Sequence, residues 1–153
     1  MNATAPLPSA TPLHVASRLF GPLSVGLEDI IVMPEGMLGF AGERRFVLLP
    51  AAPEGIFWLQ NVDDGALIFL LVDPFKFFPD YVVDLPDIPA PGPGERIAVL
   101  SIVTLPRERG GLCSANLQGP VVIHFPARRA QQVILTDQRY HTRHELDLRS
   151  SLK

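Results

Sequence analysis

The chain has 153 residues, 47% of them hydrophobic and 19% charged, with a net charge of −3 and a pI of about 5.7. That composition is one of a single folded domain with a full hydrophobic core and excludes an intrinsically disordered chain. The acidic balance leaves no broad electrostatic basis for direct nucleic-acid binding. A lone cysteine, Cys113, excludes an internal disulfide and a cysteine-based metal site.

Met1 to Ser17 is rich in Ala, Pro, Thr and Ser without apolar periodicity, and reads as a mobile N-terminal tail. No basic stretch precedes an apolar run there, so it does not read as a signal peptide. The longest apolar run, Ala66 to Val72, is far shorter than the roughly 20 residues needed to span a bilayer. A cytoplasmic location with no membrane association is therefore expected.

From there the chain alternates short apolar runs with turn signals. In order they are LFGPLSVG, DIIVM, RFVLLP, FWLQNV, ALIFLLV, YVVDL, RIAVLSIVTL, VVIHF and QQVILT. Each is rich in Val, Ile, Leu or Phe and bounded by Pro, Gly, Asp or Asn, which is how strands read. No window holds a sustained i, i+3, i+4, i+7 pattern, so little helix is expected. Nine such segments predict an all-β fold, a small antiparallel barrel-like domain over 18–148 with a short tail at 149–153. Arg96 to Leu105 is apolar on both faces, Ile97, Val99, Val103 on one and Ala98, Leu100, Ile102 on the other, so it should be covered on both sides.

Asp63-Asp64-Gly65 reads as a turn between two strands. Pro86 to Glu95, with four prolines and two glycines, reads as a stiff external loop. Arg107 to Gly111 reads as a hairpin tip.

The stretch DPFKFFPDY, Asp73 to Tyr81, is the most unusual. Asp73 is placed to cap one helical turn with Pro74 at its first position, and Pro79 bends the chain out again. On that turn Phe75 and Phe78 share a face by i, i+3 spacing and are expected to plug one end of the barrel. Phe77, Asp80 and Tyr81 are then left as an aromatic, acid-edged patch of the kind protein interfaces use.

Catalytic signatures do not emerge. His141 and His144 lack a third ligand at recognisable spacing, and on a strand they would face opposite sides, so they read as a surface pair and not a metal site. His124 reads as an ordinary strand histidine and Cys113 as a small packed residue. No G-x-S-x-G, Walker A or G-x-G-x-x-G motif is present.

Seven strings stand in one order: MPEGMLGF, FWLQNVDD, FLLVDPF, FFPDY, ANLQGPVVI, QVIL and YHTRH. Together they resemble the bacterial flagellar assembly factor FliW family, from about Phe20 to Glu145. The chain departs from the family pattern at Met33, where phenylalanine is usual, and at Asn61, where serine is frequent. The resemblance implies a non-enzymatic β-barrel protein with no cofactor, expected as a monomer. It implies two protein partners: flagellin, held near its C-terminal end, and the translational repressor CsrA, whose antagonism ties flagellin synthesis to export. Gln60, Asn61, Phe77, Asp80, Tyr81, Asn116 and Gln118 are the expected partner contacts, with Asn116 equally suited to organising a turn. A small-ligand or flavin-binding barrel is the alternative reading.

Overall fold

The computed structural model describes residues 12–108 and 110–148. Eleven strands form among them: β1 (Leu13–Ser17), β2 (Gly21–Val25), β3 (Ile30–Val32), β4 (Arg45–Ala51), β5 (Ile56–Asn61), β6 (Ile68–Val72), β7 (Arg96–Thr104), β8 (Cys113–Ala115), β9 (Val121–Phe125), β10 (Arg129–Gln132) and β11 (His144–Leu146). One four-residue helix, α1 (Pro74–Phe77), follows β6.

Nine of these strands hydrogen-bond in the order β11-β8-β7-β6-β5-β4-β3-β10-β9, and β9 pairs back onto β7. The last pairing closes seven strands into a barrel, as the all-β reading anticipated. Strand β7 serves two neighbours on one edge: its start pairs with β9, from Arg96 opposite Phe125 to Leu100 opposite Val121, and its end pairs with β8. The barrel is not wholly antiparallel. Strands β10 and β3 run parallel, joined at Arg129 opposite Val32. Closure leaves β11 and β8 as an extension beyond the ring.

The period-two alternation of the strands sorts side chains to two faces. Ile31, Phe46, Leu59, Leu71, Leu100, Val121, Ile123 and Ala130 point inward and form one buried cluster. These side chains fill the barrel, so its centre is core and not the ligand cavity of the alternative reading. Burying each large one contributes about 1.5–3 kcal/mol.

The outer faces are covered as well, which explains why so many strands lack a polar side. A hairpin of β1 and β2 packs Val15 and Val25 on Val47. This corrects the expectation of a tail through Ser17: Leu13–Ser17 is a strand, because alternate residues Val15 and Ser17 are buried against the barrel wall. The rest of the expected tail, residues 1–11, and the expected tail at 149–153 lie outside the described residues. On another outer face, Leu70, Val103 and Ala115 are covered by Tyr81, Leu117, Leu135, Tyr140 and Leu146. Strand β7 is therefore enclosed on both sides, with Leu100 and Ile102 facing one cluster and Val103 the other.

Two further expectations shift. YVVDL joins no ladder, and QQVILT is a strand only at Gln131–Gln132. Beyond Gln132 the chain bonds instead to the 116–120 loop, Val133 N–H to Pro120 O and Leu135 N–H to Gln118 O. Strands β8 and β11 are three residues long, too short to show a period.

Candidate functional site

The Asp73–Tyr81 stretch folds as its capping residues dictate. Asp73 Oδ1 accepts from the Phe75 N–H at 3.0 Å, and Pro74 opens the turn. The roles of Phe75 and Phe77 are exchanged: Phe75 is 45% exposed, while Phe77 packs part-buried on the outer core cluster; Phe78 packs there too, on the outer cluster and not inside the barrel. The i, i+3 argument fails because α1 ends at Phe77; Phe78 lies past it with φ −132°, which turns its ring off the helical face.

Three segments distant in sequence are tied together beside this turn. The Tyr81 hydroxyl donates to Leu117 O at 2.7 Å. The Val82 N–H donates to the Tyr140 hydroxyl at 2.9 Å, and the two tyrosine rings meet edge to face at 4.8 Å. His141 O accepts from the Leu117 and Gln118 N–H groups. Burial, reinforced by nearby Tyr140, pushes the Tyr81 phenol well above the ordinary tyrosine range, so it remains a neutral donor.

The structure thus gathers five of the seven expected residues. Asp80 is exposed; Phe77, Asn116 and Gln118 are half-buried; Tyr81 is interior and acts as a brace. Asn116 Oδ1 accepts from the Gln118 and Gly119 N–H groups at 3.1 and 2.8 Å, so its side chain organises the turn.

Gln60 and Asn61 lie apart, at the β5–β6 hairpin, and both are fully buried. Neither presents a side chain to a partner, which corrects the sequence expectation. Gln60 faces outward from the barrel but is roofed by β1: Ser17 Oγ donates to its Oε1 at 2.7 Å, and its Nε2 donates to Asn61 O at 3.0 Å. Asn61 faces the barrel interior, where its Oδ1 accepts from the Asp63 and Asp64 N–H groups at 2.8 and 2.7 Å. Those bonds build the Asp63–Gly65 turn. The roof over Gln60 was invisible in a segment that read as a tail.

Next to the tyrosine brace, the segment Val82–Ile88, which turns at Pro86–Asp87, and the segment Gln131–Asp137 form the walls of a groove of about 430 Å³. Val82 and Ile134, 56% and 51% exposed, offer it apolar surface. Its rim is acidic. Asp84 and Asp87 line the groove and Asp80 precedes the Tyr81 brace; all three are exposed and enter none of the ion pairs among the described residues. Asp137 is held by Arg139 at 2.7 Å, which lowers its carboxyl pKa below the usual range. Sequence reasoning missed Val82, Asp84, Asp87 and Ile134, although DYVVDLPD shows three acids and no cation.

The histidine pair differs from its expected geometry. His141 precedes β11 in a turn, so the rings are not splayed across a strand but stack at 3.8 Å and 18°. His144 Nε2 accepts from the His141 N–H at 3.0 Å, and His141 Nδ1 accepts from the Arg143 N–H at 3.2 Å. Burial, then the neighbouring His141, lowers the His144 pKa. Among the described residues no three His, Cys, Asp or Glu side chains converge as a metal site. Nor is any helix among them long and apolar enough to cross a membrane.

An apolar floor within an acidic rim, fixed by hydrogen bonds between distant segments, is suited to gripping a basic, partly apolar surface. Known proteins of one family resemble the chain along most of its length. The family model described as FliW protein matches residues 14–146. The chain is 34% identical over 139 residues to a flagellar assembly factor FliW of Treponema denticola, covering 88% of this chain and 93% of that protein. It is 37% identical over 139 residues to one of Caldicellulosiruptor saccharolyticus, covering 86% and 89%. A crystal structure of the flagellar assembly factor FliW superposes with a TM-score of 0.76 at 34% identity, covering 86% of this chain and 95% of that one.

Proposed function

The chain belongs to the FliW family of non-enzymatic flagellar assembly factors, and on that premise we propose that it acts in the cytoplasm as a partner switch between flagellin and CsrA. In this reading flagellin occupies the factor until it is exported. The freed factor then binds CsrA and relieves its repression of flagellin synthesis.

The observation that carries the reading is the groove between Val82–Ile88 and Gln131–Asp137, with exposed Val82 and Ile134 beside the acids Asp84 and Asp87 and with exposed Asp80 two residues before Val82. A repressor that holds messenger RNA must expose cations for the phosphate backbone. An acidic surface complements that charge and speeds encounter. Once clamped, it also disfavours phosphate over about one Debye length, roughly 8 Å at physiological salt. Exchange between two partners follows by mass action where their surfaces overlap or couple. Phe77, Asp80, Asn116 and Gln118, near the tyrosine brace beside this groove, are the proposed contacts.

The test is size-exclusion chromatography of the purified chain mixed with the CsrA and flagellin of its own genome. Co-migration with each separately, and displacement of CsrA when flagellin is added, is the expected result. Failure of both to co-migrate at micromolar concentration overturns the reading.

A further inference from the structure

A second groove, of about 570 Å³, lies between the proline-rich loop and the β9–β10 hairpin. It shares only Gln131 with the acidic groove, and it is lined by Arg96 and Arg129 where the acidic groove is lined by no cation. We infer that it is a separate docking site for an extended acidic peptide segment of another protein, held by Arg96 and Arg129 beside a wall of prolines, with Arg128 adjoining it across Phe125.

Strand register creates the basic face. Arg45 lies opposite Val32, Val32 opposite Arg129, Arg129 opposite His124 and His124 opposite Ile97. Residues paired across a sheet share a face. Their neighbours Phe46, Ile31, Ala130 and Ile123 are buried inside the barrel, so this row points outward. Arg45 is engaged by Asp63. Arg129 is not: among the described residues neither it, Arg96 nor Arg128 enters an ion pair.

Two of these cations are held in place by an aromatic ring. The Arg96 guanidinium lies 4.1 Å from the Phe125 ring centre and that of Arg128 5.4 Å. Stacking holds the guanidiniums and leaves their hydrogen-bonding edges for carboxylates. Arg128 also adopts φ +57°, the left-handed region where a non-glycine residue is strained. The backbone there is needed for closure: Arg128 N–H donates to His124 O at 2.7 Å and its carbonyl accepts from Val32 N–H at 2.9 Å. Glycine or asparagine meets that requirement with less strain. An arginine at this position adds a guanidinium that closure does not need.

The occupant is set by charge and shape. Two acids line the groove, Glu35 and Glu95, and Glu95 Oε1 already accepts from the Gly92 N–H at 2.8 Å. Arg96 and Arg129, in no ion pair among the described residues, therefore outnumber the one lining carboxylate not so engaged, and Arg128 stands beside them on Phe125. Arg129 and His124 stand on the barrel wall, facing Pro89, Ala90 and Pro91 across the groove. A narrow slot of this kind takes an extended backbone. A nucleic acid is disfavoured, because two lining arginines beside two carboxylates offer few of the phosphate contacts on which such binding rests.

The test is a 15N-edited NMR titration of the full chain with a capped peptide of five Glu-Pro repeats, a Lys-Pro counterpart and a uridine decamer. Glu-Pro peptide should shift the signals of Ile97, His124, Arg129 and Gln131 and the Arg96 side-chain NεH. Arg129→Glu should weaken it at least tenfold, whereas the double variant Asp84→Asn/Asp87→Asn should not. Absence of shifts, shifts confined to 80–88, equal affinity of Arg129→Glu, or tighter binding of the uridine decamer overturns the proposal. Because the acidic-groove variant is a separate arm, its failure and the failure of the partner-switch reading are told apart.

Discussion

The Tyr81 hydroxyl donates to the Leu117 carbonyl at 2.7 Å, joining segments 36 residues apart in the sequence. That bond, with its counterpart from the Val82 N–H to the Tyr140 hydroxyl, sets the position of one wall of the acidic groove. Removing the hydroxyl leaves a buried carbonyl without its partner. Tyr81→Phe should cost about 1–3 kcal/mol in urea unfolding. The ring contributes separately, so Tyr81→Ala should cost about 3–5 kcal/mol. Equal losses from the two variants would show that the ring contributes nothing beyond the hydrogen bond.

The aromatic stretch gives a contrast in stability. Phe46 is fully buried in the barrel and Phe75 is largely exposed. Phe46→Ala should destabilise by about 3–5 kcal/mol. Phe75→Ala should stay within about 0.5 kcal/mol of the parent. Thermal and urea melts of the two variants check this, and a large loss for Phe75→Ala would return that ring to the core.

Gly65 holds the N-terminal hairpin against the barrel. A Cβ at Gly65 would lie 1.7 Å from Ala16 O, and Gly65 O accepts from the Arg18 N–H at 2.8 Å. Backbone on both sides of that clash cannot yield as a side chain would. Gly65→Ala should therefore displace β1 and uncover Gln60, at a cost of about 1–3 kcal/mol. Hydrogen exchange over residues 13–25 should rise, and unchanged protection there would refute the packing argument.

Acid should loosen the turn that carries His141 and His144. The folded-state pKa of His144 is lowered, by burial first and by His141 second. The folded chain thus binds fewer protons than the unfolded one. The associated stability is present above the unfolded histidine pKa of about 6.5 and is lost as pH falls below it. Protonation also removes the Nε2 acceptor of the His141 N–H. The charged or titratable neighbours are His141, Arg143, Glu145 and Tyr140. Melting temperature between pH 7.5 and 5.5 should fall more for the parent than for His144→Phe.

Charge on the groove rim should act mainly on association rate. Asp80, Asp84 and Asp87 are exposed, so their loss should not unfold the chain. The triple Asp→Asn variant should slow CsrA association by about tenfold at low salt, with less effect as salt rises. Stopped-flow association at two ionic strengths measures this. A rate that does not change would place the CsrA surface elsewhere.

Local chemistry made much of this molecule legible. Alternating apolar runs marked β3 to β7 and β9. Asp73-Pro74 marked the start of α1, and Asp63-Asp64-Gly65 marked a hairpin. Short elements were not legible. Strands β8 and β11, three residues each, exist because β7 and β8 lie ready to pair with them. The strand at Leu13–Ser17 was hidden by its flanking prolines and small residues; only the barrel wall beneath it reveals which side chains it buries.

The sequence by itself determined the class of fold, the family and the absence of a recognisable catalytic motif, because strand periodicity, turn chemistry and ordered motifs are local properties. Tertiary structure alone decided which polar residues are surface. Gln60 and Asn61 vanish inside, one under β1 and one into the barrel, while Val82, Ile134 and a row of arginines come to face solvent. Exposure depends on which distant segments pack on each face of a strand, and that is fixed by ring closure and register, which no single stretch of residues encodes.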